Sequence, residues 1–374
     1  MYHPFRRSPH SANPECFAIY LVHFRRHSFR HDFKKLGGEI KKNELSGAYF
    51  LYGSEQYLLS KYLERLLKRA VPSMPAFNLQ KFEAEKGQLD WNAVEDAVQN
   101  LPMMSPRKAV VLHDLNPEQL PAEETKRFQK LVEELPDTAI LVVYVSGLDL
   151  PVKVSRKVQN FLKFMEKNGT VVEFAPLSKN DLGKYLVDEA AKAGCFLSAA
   201  VAGRMVEACG PDLTPLLTNL EKLIAFTGKG EITAEAVDGL VEKTMDATAF
   251  DLANALLRGN LDAALQAVAE LKAQRVEPIM VAGALNSAFI DLYRAKCALA
   301  AGKTAVDVTA DFGYNPRVRF RVDNAFRSAG RTETEALRRA VRLLRRLDLQ
   351  LKSSKADSYE LLETTLVRIQ AGKE

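Results

Sequence analysis

Cysteine is scarce in this chain, and no two cysteines have the spacing of a zinc-binding pair. The 374 residues include four cysteines, which lie far apart at Cys16, Cys195, Cys209 and Cys297. Secreted disulfide-stapled domains and zinc modules use closely spaced cysteines in larger numbers. The pattern therefore favours unpaired thiols in a reducing compartment over a disulfide or metal role.

Long apolar runs are missing as well. The longest, such as Ala139 to Val145, span about seven residues, whereas a membrane-spanning helix needs roughly 18. This excludes an integral membrane protein. Hydrophobic residues make up 47% and charged residues 26% of the chain, the ordinary balance of a globular protein. A length of 374 residues predicts two or three domains.

Common catalytic motifs are also absent, and we predict no catalytic residue, cofactor or metal site in the folded domains. The sequence has no GxSxG, HExxH, GxGxxG or EF-hand loop. Its first apolar strand ends in Gly53-Ser54-Glu55, where a P-loop ATPase carries GxxxxGK[ST] to cradle phosphates and bind Mg²⁺. No second glycine or Gly-Lys pair follows, and Glu55 would place a negative charge beside a polyphosphate. We expect a degenerate nucleotide site at Gly53, Ser54 and Glu55.

Positive charge is concentrated at the N-terminus. The net charge is +5, yet residues 1–42 hold nine Lys and Arg against three acids and so carry +6. The remaining 332 residues are almost neutral at −1. Three histidines spaced four apart would share a helix face and could hold a metal, and the arginines superficially resemble a targeting peptide. These histidines are His23, His27 and His31. The favoured interpretation of residues 1–42 is a disordered tail or an over-extended start of the reading frame.

Hydrophobic periodicity predicts one α/β domain followed by two helical ones. Between residues 43 and 177, apolar strand-like runs alternate with helical patterns, which is typical of a parallel sheet covered by helices on both faces. After Pro176 we predict no further strands. Short helices separated by Gly and Pro form a small helical domain at 178–247, and longer helices form a third domain at 248–374. The predicted strands are 49–53, 78–82, 108–113, 139–145 and 170–174.

Several short motifs, taken in order, resemble the delta subunit of bacterial DNA polymerase III. Each motif alone is weak, but their order and spacing are fairly specific and cover about 47–371. The opening motif is the run from Gly47 to Leu59, GAYFLYGSEQYLL. The later ones are Phe77-Asn78, Asp90-Trp91, the run from Leu101 to Val111, Glu277-Pro278, the run from Phe312 to Pro316, and Leu349-Gln350-Leu351-Lys352.

This resemblance implies an AAA+-like clamp-loader subunit with three domains: an α/β domain, a small helical lid and a helical collar. The implied partners are the beta sliding clamp, the tau/gamma and delta-prime loader subunits, and primed DNA through the assembly. In that family the delta subunit hydrolyses no ATP, and the implied location is the bacterial cytoplasm without membrane attachment. The absent P-loop, found independently of the resemblance, agrees with this role.

The resemblance places the family's hydrophobic clamp wedge on Met103 and Met104, with Leu101 and Pro102 beside them. Leu and Phe are the more usual pair in the family, but the flexible, polarizable Met side chain can also fill a partner's pocket. Two adjacent residues of a Pro-flanked loop cannot both point into one core, so we expect at least one exposed methionine. The alternative is that one Met caps the core and the other is a solitary surface residue.

The last feature is a run of ten arginines between residues 314 and 346, against three acids. Arginine suits phosphate contacts, so one alternative function is a stand-alone nucleic-acid-binding protein. The favoured interpretation is a solvated helix face paired with neighbouring collar subunits. A second alternative is an NTPase with an atypical phosphate loop. The candidate DNA-facing residues are Arg338, Arg342, Arg345, Lys352 and Lys355.

Overall fold

The computed structural model describes residues 30–31, 33–84, 89–146, 150–314 and 318–372. The described residues form two compact units, which meet in the sequence between Ala175 and Pro176. No helix among the described residues is long and apolar enough to cross a membrane.

The first unit is built on a six-stranded sheet with strand order β1-β6-β2-β5-β4-β3, in which every neighbouring pair is parallel. The strands are β1 (Arg30–His31), β2 (Gly47–Tyr52), β3 (Leu79–Glu83), β4 (Lys108–His113), β5 (Ala139–Val145) and β6 (Gly169–Glu173). The helices are α1 (Phe33–Lys42), α2 (Gln56–Ala70), α3 (Pro75–Asn78), α4 (Trp91–Gln99), α5 (Ala122–Glu133) and α6 (Arg156–Asn168).

Helices cover both faces of this sheet, which confirms the predicted fold class. Alternate side chains of a strand point to opposite faces, and Phe50 and Tyr52 of β2 pack in one buried cluster with residues of α4, α5 and α6. Tyr49 and Leu51 are buried on the other face, where α2 contacts β2 and β4. A sheet buried on both sides needs nearly continuous apolar strands, and β2, β4 and β5 are such strands.

The second unit is mainly helical, as predicted. Its helices are α7 (Lys179–Lys192), α8 (Ala199–Cys209), α9 (Leu213–Thr227), α10 (Ala234–Leu240), α11 (Met245–Leu257), α12 (Leu261–Ala273), α13 (Pro278–Ala300), α14 (Ala305–Asp311), α15 (Arg319–Ala329), α16 (Thr334–Ser353) and α17 (Ser358–Ala371). One apolar core joins α11, α12, α13, α15, α16 and α17. The predicted domain boundary at residue 247 falls inside α11.

The prediction that strands stop after Pro176 was wrong. Two short strands, β7 (Cys195–Leu197) and β8 (Gly230–Ile232), form a parallel pair. Each has three residues, which is too few to show a two-residue alternation in the sequence.

Part of the predicted N-terminal tail is folded. Residues 33–42 form α1, with Leu36 and Ile40 buried, and the Phe33 ring packs against those of Tyr62 and Phe174. This helix therefore belongs to the first unit, and the prediction of a tail extending to residue 42 was wrong. His23, His27 and the side chain of His31 lie outside the described residues. Among the residues that are described, no group of His, Cys, Asp or Glu could hold a metal ion.

Candidate functional site

The loop between α4 and β4 presents apolar side chains to solvent. Leu101 is 83% exposed, Met103 49% and Met104 79%, while Pro102 is half-buried. Both methionines are therefore accessible, and the alternative in which one of them caps the core fails. Exposed large apolar residues that lie close together commonly mark an interaction site.

A second exposed segment lies beside this loop. Met74, just before α3, and Phe77, within it, are both exposed, and the segment from Ser73 to Asn78 is hydrogen-bonded to Met103 and Met104. We call the exposed residues of the two segments the apolar surface: Met74, Phe77, Leu101, Met103 and Met104. The contribution of α3 is not visible in the sequence, because a four-residue helix has no periodicity to detect.

The two segments are joined through the side-chain amide of Asn78. Asn78 Oδ1 accepts a hydrogen bond from the Met103 backbone N–H at 2.7 Å, and Asn78 Nδ2 donates to the Met103 carbonyl oxygen at 2.8 Å. Ser73 Oγ donates to the Met104 carbonyl oxygen at 2.9 Å. The same Asn78 Nδ2 also lies 3.2 Å from the carbonyl oxygens of Ser73 and Met74.

Basic side chains hold both ends of the loop. Lys108 Nζ donates to the carbonyl oxygen of Asn100, the residue that caps the C-terminus of α4, at 3.0 Å, and burial lowers the pKa of this lysine. A cation is favourable at the negative end of a helix dipole. At the other end, Arg107 Nη1 donates to the Leu45 carbonyl oxygen at 2.6 Å. The loop is thus fixed at each end and in its middle.

The turn predicted to be a degenerate nucleotide site is closed by a backbone hydrogen bond from Glu55 to Phe174. Only Gly53, Ser54 and Glu55 separate β2 from α2. Gly53 has φ +136°, and a Cβ there would lie 2.2 Å from the Phe174 carbonyl oxygen. That same oxygen accepts a hydrogen bond from the Glu55 N–H at 2.9 Å. A phosphate-binding loop needs free N–H groups around a cavity, and this short, closed turn does not provide such an arrangement.

Asp114, the acidic residue that directly follows β4, is engaged internally. Asp114 Oδ1 accepts a hydrogen bond from the Ser146 N–H at 2.7 Å, and Asp114 Oδ2 lies 3.3 Å from His113 Nε2. His113 itself stacks on the Tyr144 ring and bonds Glu83 and Ser146. His113 is therefore held by neighbouring side chains at the carboxyl end of β4.

Several arginines of the 314–346 run serve internal contacts. Arg321 Nη2 lies 2.8 Å from Asp291 Oδ2, whose side chain is 2% exposed. Arg327 pairs with Glu207 at 3.0 Å. These side chains hold helices of the second unit together, which reduces the share of the run that could face nucleic acid. Arg317 lies outside the described residues.

The candidate DNA-facing residues are all exposed, on α16 or just after it, but their environments differ. Arg338 and Arg342 lie near Glu335 at 3.6 Å and 3.1 Å, and Arg338 also donates to the Tyr293 hydroxyl. Lys352 pairs with Asp348 at 2.8 Å. Arg345 and Lys355 form no ion pair within the described part of the chain.

Comparison with known proteins identifies the family. A model described as "DNA polymerase III, delta subunit" matches residues 49–175, and one described as "DNA polymerase III delta subunit, C-terminal domain" matches residues 246–369. The chain belongs to the DNA polymerase III delta-subunit family. The DNA polymerase III subunit delta of Bacillus subtilis is 26% identical over 337 residues, covering 88% of this chain and 94% of that protein.

A solved structure supports the fold of this delta-family chain. The Bacillus subtilis DNA clamp loader delta protein superposes with a TM-score of 0.66 at 22% identity, covering 90% of this chain and 99% of that one. The resemblance read from the sequence motifs is thus confirmed, as are the parallel sheet and the helical C-terminal region. The roles of Met103, Met104 and the basic residues stay predictions.

Proposed function

We propose that this chain is the delta subunit of a bacterial clamp loader, that it binds the beta sliding clamp through the loop Leu101–Met104, and that it helps to open the clamp without hydrolysing ATP. The observation that carries the proposal is the presentation of Leu101 and Met104 on a loop fixed at both ends. A preorganised loop loses little conformational entropy on binding.

The two methionines could contribute a substantial part of the binding free energy. Burying each methionine in a pocket would contribute roughly 1.5–3 kcal/mol, and the two together correspond to about two to four decades of affinity.

Clamp opening would follow if the loop binds the open ring more tightly than the closed one, because a ligand shifts an equilibrium only by its differential affinity. The helices of the second unit would join the tau/gamma and delta-prime subunits in a collar and hold primed DNA through the assembly, in the bacterial cytoplasm.

The test is binding of the full chain to its cognate sliding clamp, measured beside the Met103→Ala/Met104→Ala variant. We expect this variant to bind at least about 100-fold more weakly. Met280→Ala is a matched control, since Met280 is an exposed methionine of the second unit, and it should bind like wild type. Undiminished binding by the double variant would move the contact elsewhere.

The alternative of a stand-alone nucleic-acid-binding protein rests on the arginine run at 314–346, in which Arg345 is exposed and forms no ion pair among the described residues. It would be favoured if the isolated chain failed to bind the clamp but bound duplex DNA with an affinity that falls steeply with salt.

A further inference from the structure

Asn78 is a buried polar residue whose side chain serves another segment of the chain. It is 1% exposed, and its amide bonds both the N–H and the carbonyl oxygen of Met103, 25 residues away. This is the pairing that a neighbouring β-strand would offer to Met103. The loop has no strand at this point, so the Asn78 side chain takes the place of one.

The backbone on either side of this pairing is in an unusual conformation. Met104 has φ +48° and Met74 has φ +50°, within the left-handed region that residues with a Cβ rarely adopt. Such strain persists only where surrounding contacts hold it, and it is concentrated at functional sites. Here the contacts are the bonds from Asn78 to Met74 and Met103, and the bond from Ser73 to Met104.

We propose that Asn78 is a positioning residue, which holds Met103 and Met104 in the conformation that binds the sliding clamp. The inference rests on the proposed function. Without the Asn78 amide, Met103 loses both of these backbone hydrogen bonds and the loop samples several conformations. The measured dissociation constant then rises in proportion to the loss of the competent conformation.

The chemistry of the amide makes the proposal specific to asparagine. Met103 requires an acceptor for its N–H and a donor for its carbonyl oxygen, and the asparagine side chain provides both. Asn78→Asp keeps the acceptor but replaces Nδ2 by a second carboxylate oxygen. In the wild type, Nδ2 lies 2.8 Å from the Met103 carbonyl oxygen, so the new oxygen would face another oxygen at that position. Asn78→Ala removes both groups. Ser73→Ala removes only the bond to the Met104 carbonyl oxygen and is expected to have a smaller effect.

The experiment measures clamp affinity of the full chain for Asn78→Ala, Asn78→Asp and Ser73→Ala, alone and combined with Met103→Ala/Met104→Ala. We expect Asn78→Ala and Asn78→Asp to bind at least about tenfold more weakly, and Ser73→Ala about threefold more weakly. In the methionine-free background, Asn78→Ala should add less than about a twofold loss, because residues that act through one another are not additive. Faster hydrogen exchange of the Met103 amide should accompany the loss of affinity.

The outcomes separate this inference from the proposed function. In one outcome, wild type binds the clamp and the methionine variant loses affinity, but Asn78→Ala and Asn78→Asp bind within about twofold of wild type. Asn78 then has no positioning role, and the proposed function stands. The same conclusion follows if Asn78→Ala loses as much affinity in the methionine-free background as in wild type. If Asn78→Ala does not fold, Asn78→Asp and Ser73→Ala, the latter at a half-buried residue, decide the matter by the same criteria. Failure of the methionine variant to lose affinity overturns both proposals.

Discussion

Burying a polar residue costs free energy of folding unless the residue is hydrogen-bonded. Three such residues described in the first unit lie at the apolar surface or in the turn after β2. Asn78 and Lys108 hold the loop that carries the apolar surface, and Glu55 lies in the closed turn after β2. The side chains of Asn78 and Lys108 bond a segment that no strand or helix pairs, and the Glu55 N–H closes its turn. The position of the apolar surface thus depends on a few polar contacts beneath it.

Tyr49 is a buried residue that links stability to alkaline pH. Burial raises the pKa of its hydroxyl from 10.0 to about 12, because the phenolate is poorly solvated in the sheet. The folded state therefore keeps this proton longer than the unfolded state. The contribution is fully present below pH 10, the unfolded value, and is lost as the pH rises through the folded pKa of about 12.

We expect Tyr49→Phe to remove this pH dependence. A difference of two pKa units corresponds to about 3 kcal/mol. Between pH 9 and pH 12, roughly the window set by the two pKa values, the free energy of unfolding should therefore fall further for wild type than for the variant, by up to that amount. Urea unfolding at a series of pH values measures both curves. Parallel curves would show that Tyr49 does not titrate as inferred.

At the scale of elements, a buried ion pair connects α13 and α15. Arg321 of α15 meets Asp291 of α13, and the Tyr314 hydroxyl bonds the same carboxylate. Burial, followed by this hydrogen bond, raises the pKa of Tyr314. An ion pair of this kind fixes the register of two helices, because either charge left alone in the core is strongly unfavourable.

Arg321→Met is therefore expected to destabilise the chain by about 3–5 kcal/mol, since it leaves Asp291 buried without its cation. Arg319→Met is the matched control on the same helix: Arg319 is exposed and lies 3.9 Å from Asp323, and its loss should cost at most about 1 kcal/mol. Urea unfolding distinguishes the two. Equal effects would mean that the Asp291 carboxylate is not dependent on Arg321.

Elements were predictable from the sequence in proportion to their length and apolar content. The five predicted strands are present because a doubly covered parallel sheet requires apolar runs that stand out. The three-residue β7 and β8 and the seven-residue α14 are too short to show a period. Helix α1 was hidden by its four lysines, although Leu36 and Ile40 have the spacing of a buried face.

Of the candidate site, only the part that lies on one continuous segment could be predicted. Leu101, Met103 and Met104 follow one another in the sequence, and all are exposed. Phe77 and Asn78 are recognisable only as a family motif, and the apolar pattern places Asn78 at the start of a strand. Its role depends on a side-chain bond across 25 residues, and no local pattern encodes such a contact.

At the scale of the whole molecule, the closed turn after β2 predicts that the chain does not bind nucleotide. We expect no ATP binding by the isolated full-length chain at millimolar concentration, with or without Mg²⁺, because the Glu55 N–H is already bonded to Phe174 and no glycine-rich cradle is present. Isothermal titration calorimetry measures this. Micromolar affinity would restore the alternative of an atypical NTPase.

The same turn has a consequence for timing in the proposed assembly. The Glu55 N–H of this strand-to-helix connection is bonded to the Phe174 carbonyl oxygen, so we expect that nucleotide would not change the conformation of the connection. The loop Leu101–Met104 would then be able to bind the clamp at every stage of the loading cycle. The order of clamp loading and release would then have to be controlled by neighbouring subunits that cover and expose this loop.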